Sequence, residues 1–160
     1  MGYVMKWRYI VIGVFLLFSV CVLPVSAADD FGVEKIESEY LILPQDIGDL
    51  IEPRSSISSS VTQGQARYFN HYVTPGSTEI EFQLSWPLSP NYNSLKLQIL
   101  DPEGLVVEEF TDTHDNPNPN GLIHLKIINT HGLKQGNWIF VVVGVDVVGI
   151  QLFSLGVNSY

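Results

Sequence analysis

From Thr78 to Phe110 apolar and polar residues alternate along the chain. Ile80, Phe82, Leu84 and Trp86 fall on one phase, and Glu79, Glu81, Gln83 and Ser85 on the other. After a break at Pro87–Ser94, Leu95, Leu97 and Ile99 alternate with Lys96 and Gln98. A period of two predicts strands with one face buried and one in water. On that pattern Glu79, Glu81 and, further on, His124 are expected to face solvent. The break carries Pro87, Pro90, Asn91 and Asn93 and predicts a loop. Asp101-Pro102-Glu103-Gly104 predicts a type I turn, with proline second and glycine fourth. A third strand, Leu105 to Phe110, follows antiparallel.

The same pattern extends both ways. Ile36 to Leu43 predicts a strand with Ile36, Tyr40 and Ile42 on one phase. Ser55 to Ser60 reads as a linker or a first edge strand, and Val61 to Gly64 as a turn. Gln65 to Thr74 is a strand with Phe69, His71 and Val73 on one face and Tyr68, Asn70 and Tyr72 on the other. Pro75-Gly76 turns the chain again. Thr111 to Gly121 is a long polar loop through which no helix or central strand can run. Leu122–Ile128 is a strand, and Trp138–Val143 is a continuous apolar run suited to a strand buried on both faces. Asp146 to Val157 closes the domain, with a phase slip at Leu152/Phe153 that predicts a β-bulge. No helical period is visible. About eight strands separated by turn signals predict an all-β domain, an antiparallel β-sandwich or jelly roll.

The N-terminus departs from this pattern. Lys6 and Arg8 precede an apolar run from Tyr9 to Leu23, then Pro24 and Val25-Ser26-Ala27. This is the layout of a cleavable signal peptide, residues 1–27, and places the product outside the cytoplasm. The run falls short of the ~20 residues of a membrane span. The alternative is an uncleaved leader that anchors a structural surface protein. Residues 28–56 are an acidic segment or linker, and 57–160 the sandwich domain. Cleavage removes two cationic residues and no acidic one, taking the net charge of −9 to −11. Such a charge argues against nucleic acid and anionic membrane as partners. It also removes Cys21, the only cysteine, so the domain has no disulfide to stabilise it.

Candidate chemistry is sparse. The loop residues Asp112, Asp115, Asn116 and Asn118 supply the oxygens that calcium prefers, without EF-hand spacing. Glu37, Glu39, Asp46 and Asp49 are weaker candidates for the same cation. None of the histidines, His71, His114, His124 and His131, has the spacing of a zinc motif, and each reads as hydrogen-bonded or exposed. There is no G-x-S-x-G elbow, no H-E-x-x-H and no phosphate loop. A small hydrolase would need a site assembled from scattered residues. The aromatics are more informative. Tyr68 and Tyr72 share one phase of one strand, as in sandwich modules that hold sugars or extended chains by stacking. Trp86, Trp138 and Phe82 are expected in the core.

From Ser56 to Val157 the chain resembles the pre-peptidase C-terminal domains, small β-sandwich modules of exported microbial proteins. The resemblance rests on Gln63-Gly64 before Tyr68-Phe69, on Val73, Pro75 and Gly76, and on Leu84-Ser85-Trp86. It continues through Leu95 to Gly104 with its D-P-x-G turn, Gly136-Asn137-Trp138, and Phe153, Ser154, Leu155 and Val157. It implies a non-catalytic module, in some members supported by calcium near an acidic linker. No peptidase accompanies the domain in this chain. The reading is therefore a secreted, non-enzymatic module that binds an exported protein, a surface polymer or itself.

Overall fold

The computed structural model describes residues 39–45, 56–88, 94–113 and 118–160. Nine strands form two antiparallel sheets, and the described residues contain no helix. In chain order they are β1 (Leu41–Pro44), β2 (Ser56–Val61), β3 (Ala66–Val73), β4 (Glu79–Ser85) and β5 (Ser94–Leu100). They continue with β6 (Val106–Thr111), β7 (Leu122–Ile128), β8 (Gly136–Asp146) and β9 (Gln151–Ser159). One sheet has the order β1-β7-β4-β9-β2, the other β3-β8-β5-β6. The expected β-sandwich is what the chain forms. The leader, residues 1–27, lies outside the described residues.

The alternating phase of each strand sets the core. Ile80, Phe82 and Leu84 of β4 face inward with Ile123, Leu125 and Ile127 of β7. From the other sheet come Leu95, Leu97 and Ile99 of β5 and Trp138, Phe140 and Val142 of β8. All twelve are buried. Full burial of an aliphatic or phenyl side chain of this size contributes ~1.5–3 kcal/mol. Phe82 joins the layers by packing against Phe110 and Phe140 at centroid distances of 5.5 and 5.7 Å. Along β8 the continuous apolar run has its expected consequence at Val141. It faces outward and is nonetheless buried.

The D-P-x-G turn forms as its sequence predicts. The Gly104 N–H donates to the Asp101 carbonyl at 2.9 Å, and Gly104 takes φ 82°. The fully buried Asp101 carboxylate accepts from the N–H groups of Glu103 and Leu105 at 2.9 and 3.0 Å. It also accepts from Lys134 Nζ at 2.6 Å, and the same ammonium reaches Glu103 at 2.7 Å. These two carboxylates hold the Lys134 ammonium well above its ordinary range. The Lys134 carbonyl in turn accepts the Trp138 indole N–H at 2.9 Å. One lysine thus ties the β5–β6 turn to the start of β8.

The structure corrects several local expectations. The N-terminal strand is Leu41–Pro44, shorter and later than 36–43, while Tyr40 and Ile42 keep the core-facing phase. Ser56–Val61 is a strand, because it finds a partner in β9 from Ser56↔Gly156 to Val61↔Gln151. That register is continuous through Leu152 and Phe153, so no bulge lies there. Leu152 simply faces outward and stays exposed. The irregularities fall at Ser94/Leu95 and at Ile99/Leu100 instead.

Glu81 and His124 are the larger corrections. Both sit on the outward phase of the five-stranded sheet, yet they are 4% and 0% exposed. Glu81 Oε1 and His124 Nε2 lie 3.2 Å apart, and Lys126 Nζ lies 3.8 Å from the same oxygen. Buried polar side chains are tolerated when they are hydrogen-bonded, and His124 Nε2 and Glu81 Oε1 bond each other. Lys126 also meets Glu79 at 2.9 Å, and that hydrogen bond raises its pKa.

Candidate functional site

One feature open to a partner is the outward face of the four-stranded sheet. Strand β3 pairs with β8 in unbroken register, Ala66↔Val143 to Val73↔Gly136. This sends Phe69, His71 and Val73 inward and Tyr68, Asn70 and Tyr72 outward, as their phases predict. Tyr68 is 71% exposed and Tyr72 52%. Four residues apart on one strand face, they stand ~13 Å from each other. The Gln135 amide donates to the Tyr72 hydroxyl at 2.9 Å and orients that ring.

The ladder places Tyr68 beside Val141 and Tyr72 beside Asn137. Gln98 lies on the far side of Val141, and Glu109 on the far side of Gln98. Lys96 Nζ donates to both Glu109 oxygens at 3.1 Å, and the Gln98 amide donates to one of them at 2.8 Å. The face therefore sets half-buried Ile139 and Val143, with the buried Val141 between them, amid two tyrosines and a hydrogen-bonded polar rail. Such a face stacks and buries a flat or extended ligand without demanding charge.

Of the four calcium candidates, Asp112 and Asn118 are described. Asp112 is buried, and both its oxygens face backbone N–H groups. Asn120, Gly121 and Leu122 donate to it at 3.1–3.2 Å. Its carboxylate closes the loop onto the start of β7. Asp115 and Asn116 lie outside the described residues, and Asn118 is at the loop's return. Of the weaker candidates only Glu39 is described. Among the described residues no three His, Cys, Asp or Glu side chains form a group suited to a metal ion.

The histidines divide by position. His71 is half-buried on the inner phase, edge-on to Phe140 at 6.5 Å, with Nε2 3.1 Å from Ser159 Oγ. Burial pushes its imidazole below the ordinary range. A histidine whose folded pKa is depressed contributes stability that is complete above the unfolded value, ~6.5, and lost as pH falls through it. The folded domain is thus expected to lose stability on acidification below that point. The slope from this one group is at most ~1.4 kcal/mol per pH unit. Urea melts between pH 7.5 and 5 are expected to show a smaller loss in His71→Gln than in the wild type. An equal loss in both would remove His71 as the cause.

A second concavity escaped the sequence reading. An open groove of about 640 Å³ crosses the outward face of the five-stranded sheet, lined by Ser58, Ser60, Ser85, Ser154, Trp86 and Leu152. Ser58 and Ser85 both face Ser154 across their ladders. The serine-rich composition of residues 55–60 was the available signal, but it needed the pairing with β9 to become a groove wall. Glu81 and His124, the acid and histidine that do converge, line neither this groove nor a smaller one beside His71.

No protein-family model matches this chain, and no curated protein matches it.

Proposed function

We propose that this chain is an exported, non-enzymatic β-sandwich module that binds a surface polymer or another exported protein across its four-stranded sheet. One observation carries the reading. Tyr68 and Tyr72 are both exposed on one face of a regular strand that borders an aliphatic strip. Exposed aromatics cost solvation unless a partner covers them, and tyrosine provides contact area at small cost in side-chain entropy. The signal-peptide layout of residues 1–27 and the resemblance to non-catalytic pre-peptidase C-terminal modules support the same reading. The reading does not depend on calcium, since the Asp112 carboxylate of the candidate loop accepts backbone N–H groups.

The test is retention on insoluble polymers such as chitin, cellulose and peptidoglycan. The wild type is expected to bind one of them, and Tyr68→Ala/Tyr72→Ala to lose about tenfold or more in affinity. Equal retention of both proteins would overturn the tyrosine face as the site. Sequencing the N-terminus of the native protein tests export. A start at Ala28 supports the soluble module, and an intact Met1 supports the anchored one.

A further inference from the structure

We propose that a second copy of this chain adds along the free edge of β3, antiparallel and about a two-fold axis, joining two four-stranded sheets into one. This builds on the binding reading above, moving from the face of the sheet to its edge, and either can fail without the other.

The four edge strands are not equivalent. An exposed edge is a template for another strand unless it is short, bulged, charged or covered. β1 has four residues and ends in Pro44, which has no N–H to donate. β6 carries the register shift opposite Ile99/Leu100. β2 has its Ser60 carbonyl occupied by Arg67 Nε at 3.0 Å. β3 carries one charge, Arg67, drawn onto the Ser60 carbonyl, and has none of the other protections. It runs eight residues in unbroken register with β8, without proline, lysine or bulge. Among the described residues no strand pairs with its other edge.

Charge selects the same edge. A chain of net charge −9 repels its own copies over most of its surface. No aspartate or glutamate occurs between Glu52 and Glu79, the span that contains β2 and β3. The one cation of β3, Arg67, is engaged with Ser60. Two copies can therefore meet along β3 without bringing carboxylates together.

Symmetry fixes the register. Backbone N–H and C=O groups alternate in direction along a strand, so facing residues of an antiparallel pair share the same direction. A two-fold axis must then pass through a residue that faces itself. Asn70 is the central outward residue of β3, and it is exposed. An axis there sets each Tyr68 beside Tyr72 of the other copy, giving two cross-strand aromatic pairs. It also sets Asn70 against Asn70, and a carboxamide, which carries both donors and an acceptor, complements itself. The contact is isologous and closes at two copies.

Sedimentation of the purified full chain over a concentration series is the test. A dimer is expected below ~100 µM, the micromolar range of a small interface. Asn70→Lys places two ammonium groups on the axis and is expected to weaken association at least tenfold, with the melting midpoint unchanged at dilutions where the wild type is also monomeric. In a Cys21→Ser background, Asn70→Cys is expected to give a disulfide-linked dimer on mild oxidation. Thr113→Cys, exposed just beyond β6 at the opposite edge of the sheet, is expected to stay monomeric. A wild type that is monomeric throughout would overturn the proposal. So would a dimer indifferent to Asn70→Lys, since association through any other segment has that result. A wild type that stays monomeric yet is retained on polymer would overturn this proposal alone.

Discussion

Replacing Trp138 by alanine is expected to lower the unfolding free energy by about 3–5 kcal/mol, the cost of truncating a fully buried aromatic. Trp138 has no exposed surface and opens β8, the strand that lies between β3 and β5. Its ring meets Tyr40 edge-on at 5.6 Å, which pins the residue preceding β1 to the other sheet. Its indole N–H holds the Lys134 carbonyl, and Lys134 holds Asp101 and Glu103. Alanine removes the volume, the edge contact and the hydrogen bond together. Trp138→Phe retains most of the volume and is expected to cost less than half as much. Urea melts at neutral pH measure both. A loss under ~1 kcal/mol for Trp138→Ala would mean that the two sheets do not depend on this position.

Trp138 also shows what the sequence made legible. It heads an apolar run rich in β-branched residues, and both the strand and its burial follow from that composition. The same holds for β4, β5 and β7, whose alternation names their inward residues correctly. It holds for the turns at Gly64, Gly76 and Gly104, which take the positive φ that glycine permits. Pairing order is a different matter. β4 lies between β7 and β9, and β1 joins β7, so the ladders link segments far apart in sequence. Local patterns carry no record of such partners. For that reason Ser55–Ser60 stayed ambiguous between linker and strand until β9 supplied its ladder.

Glu81 and His124 were misplaced for a related reason. Alternation tells which face of a sheet a residue occupies, and it placed both on the outward face. It says nothing about how far that face is shielded. The tyrosines illustrate the opposite outcome, because the phase that exposes them lies on an edge strand with open space beside it. Of the candidate sites, the tyrosine pair was therefore legible from one strand alone. The serine groove needed three strands in register. The loop carboxylates were legible as oxygen donors, but the partners of Asp112 were not, since they are backbone groups with no signature in residue type.

Asp112→Ala is expected to cost about 2–4 kcal/mol, because it strips an acceptor from several backbone donors at once. The Asn120 and Gly121 N–H groups lose their partner, while Leu122 keeps the Asn120 side chain at 2.9 Å. A buried donor left without an acceptor costs ~1–3 kcal/mol, so two of them set the scale. The loop has little room to relax. Gly121 takes φ 75°, and a Cβ there would collide with the Trp86 carbonyl oxygen. At the same point the Trp86 N–H donates to the Gly121 carbonyl at 2.8 Å, closing the β4–β7 ladder. Asp112→Asn retains one carbonyl oxygen and is expected to lose roughly half as much as alanine. Melts in EDTA and then in millimolar calcium separate a loop fastener from a metal ligand. A fastener destabilises equally in both solutions when it is removed. A wild type that gains stability only in calcium, with the gain lost in Asp112→Asn, would return this carboxylate to the role of cation ligand.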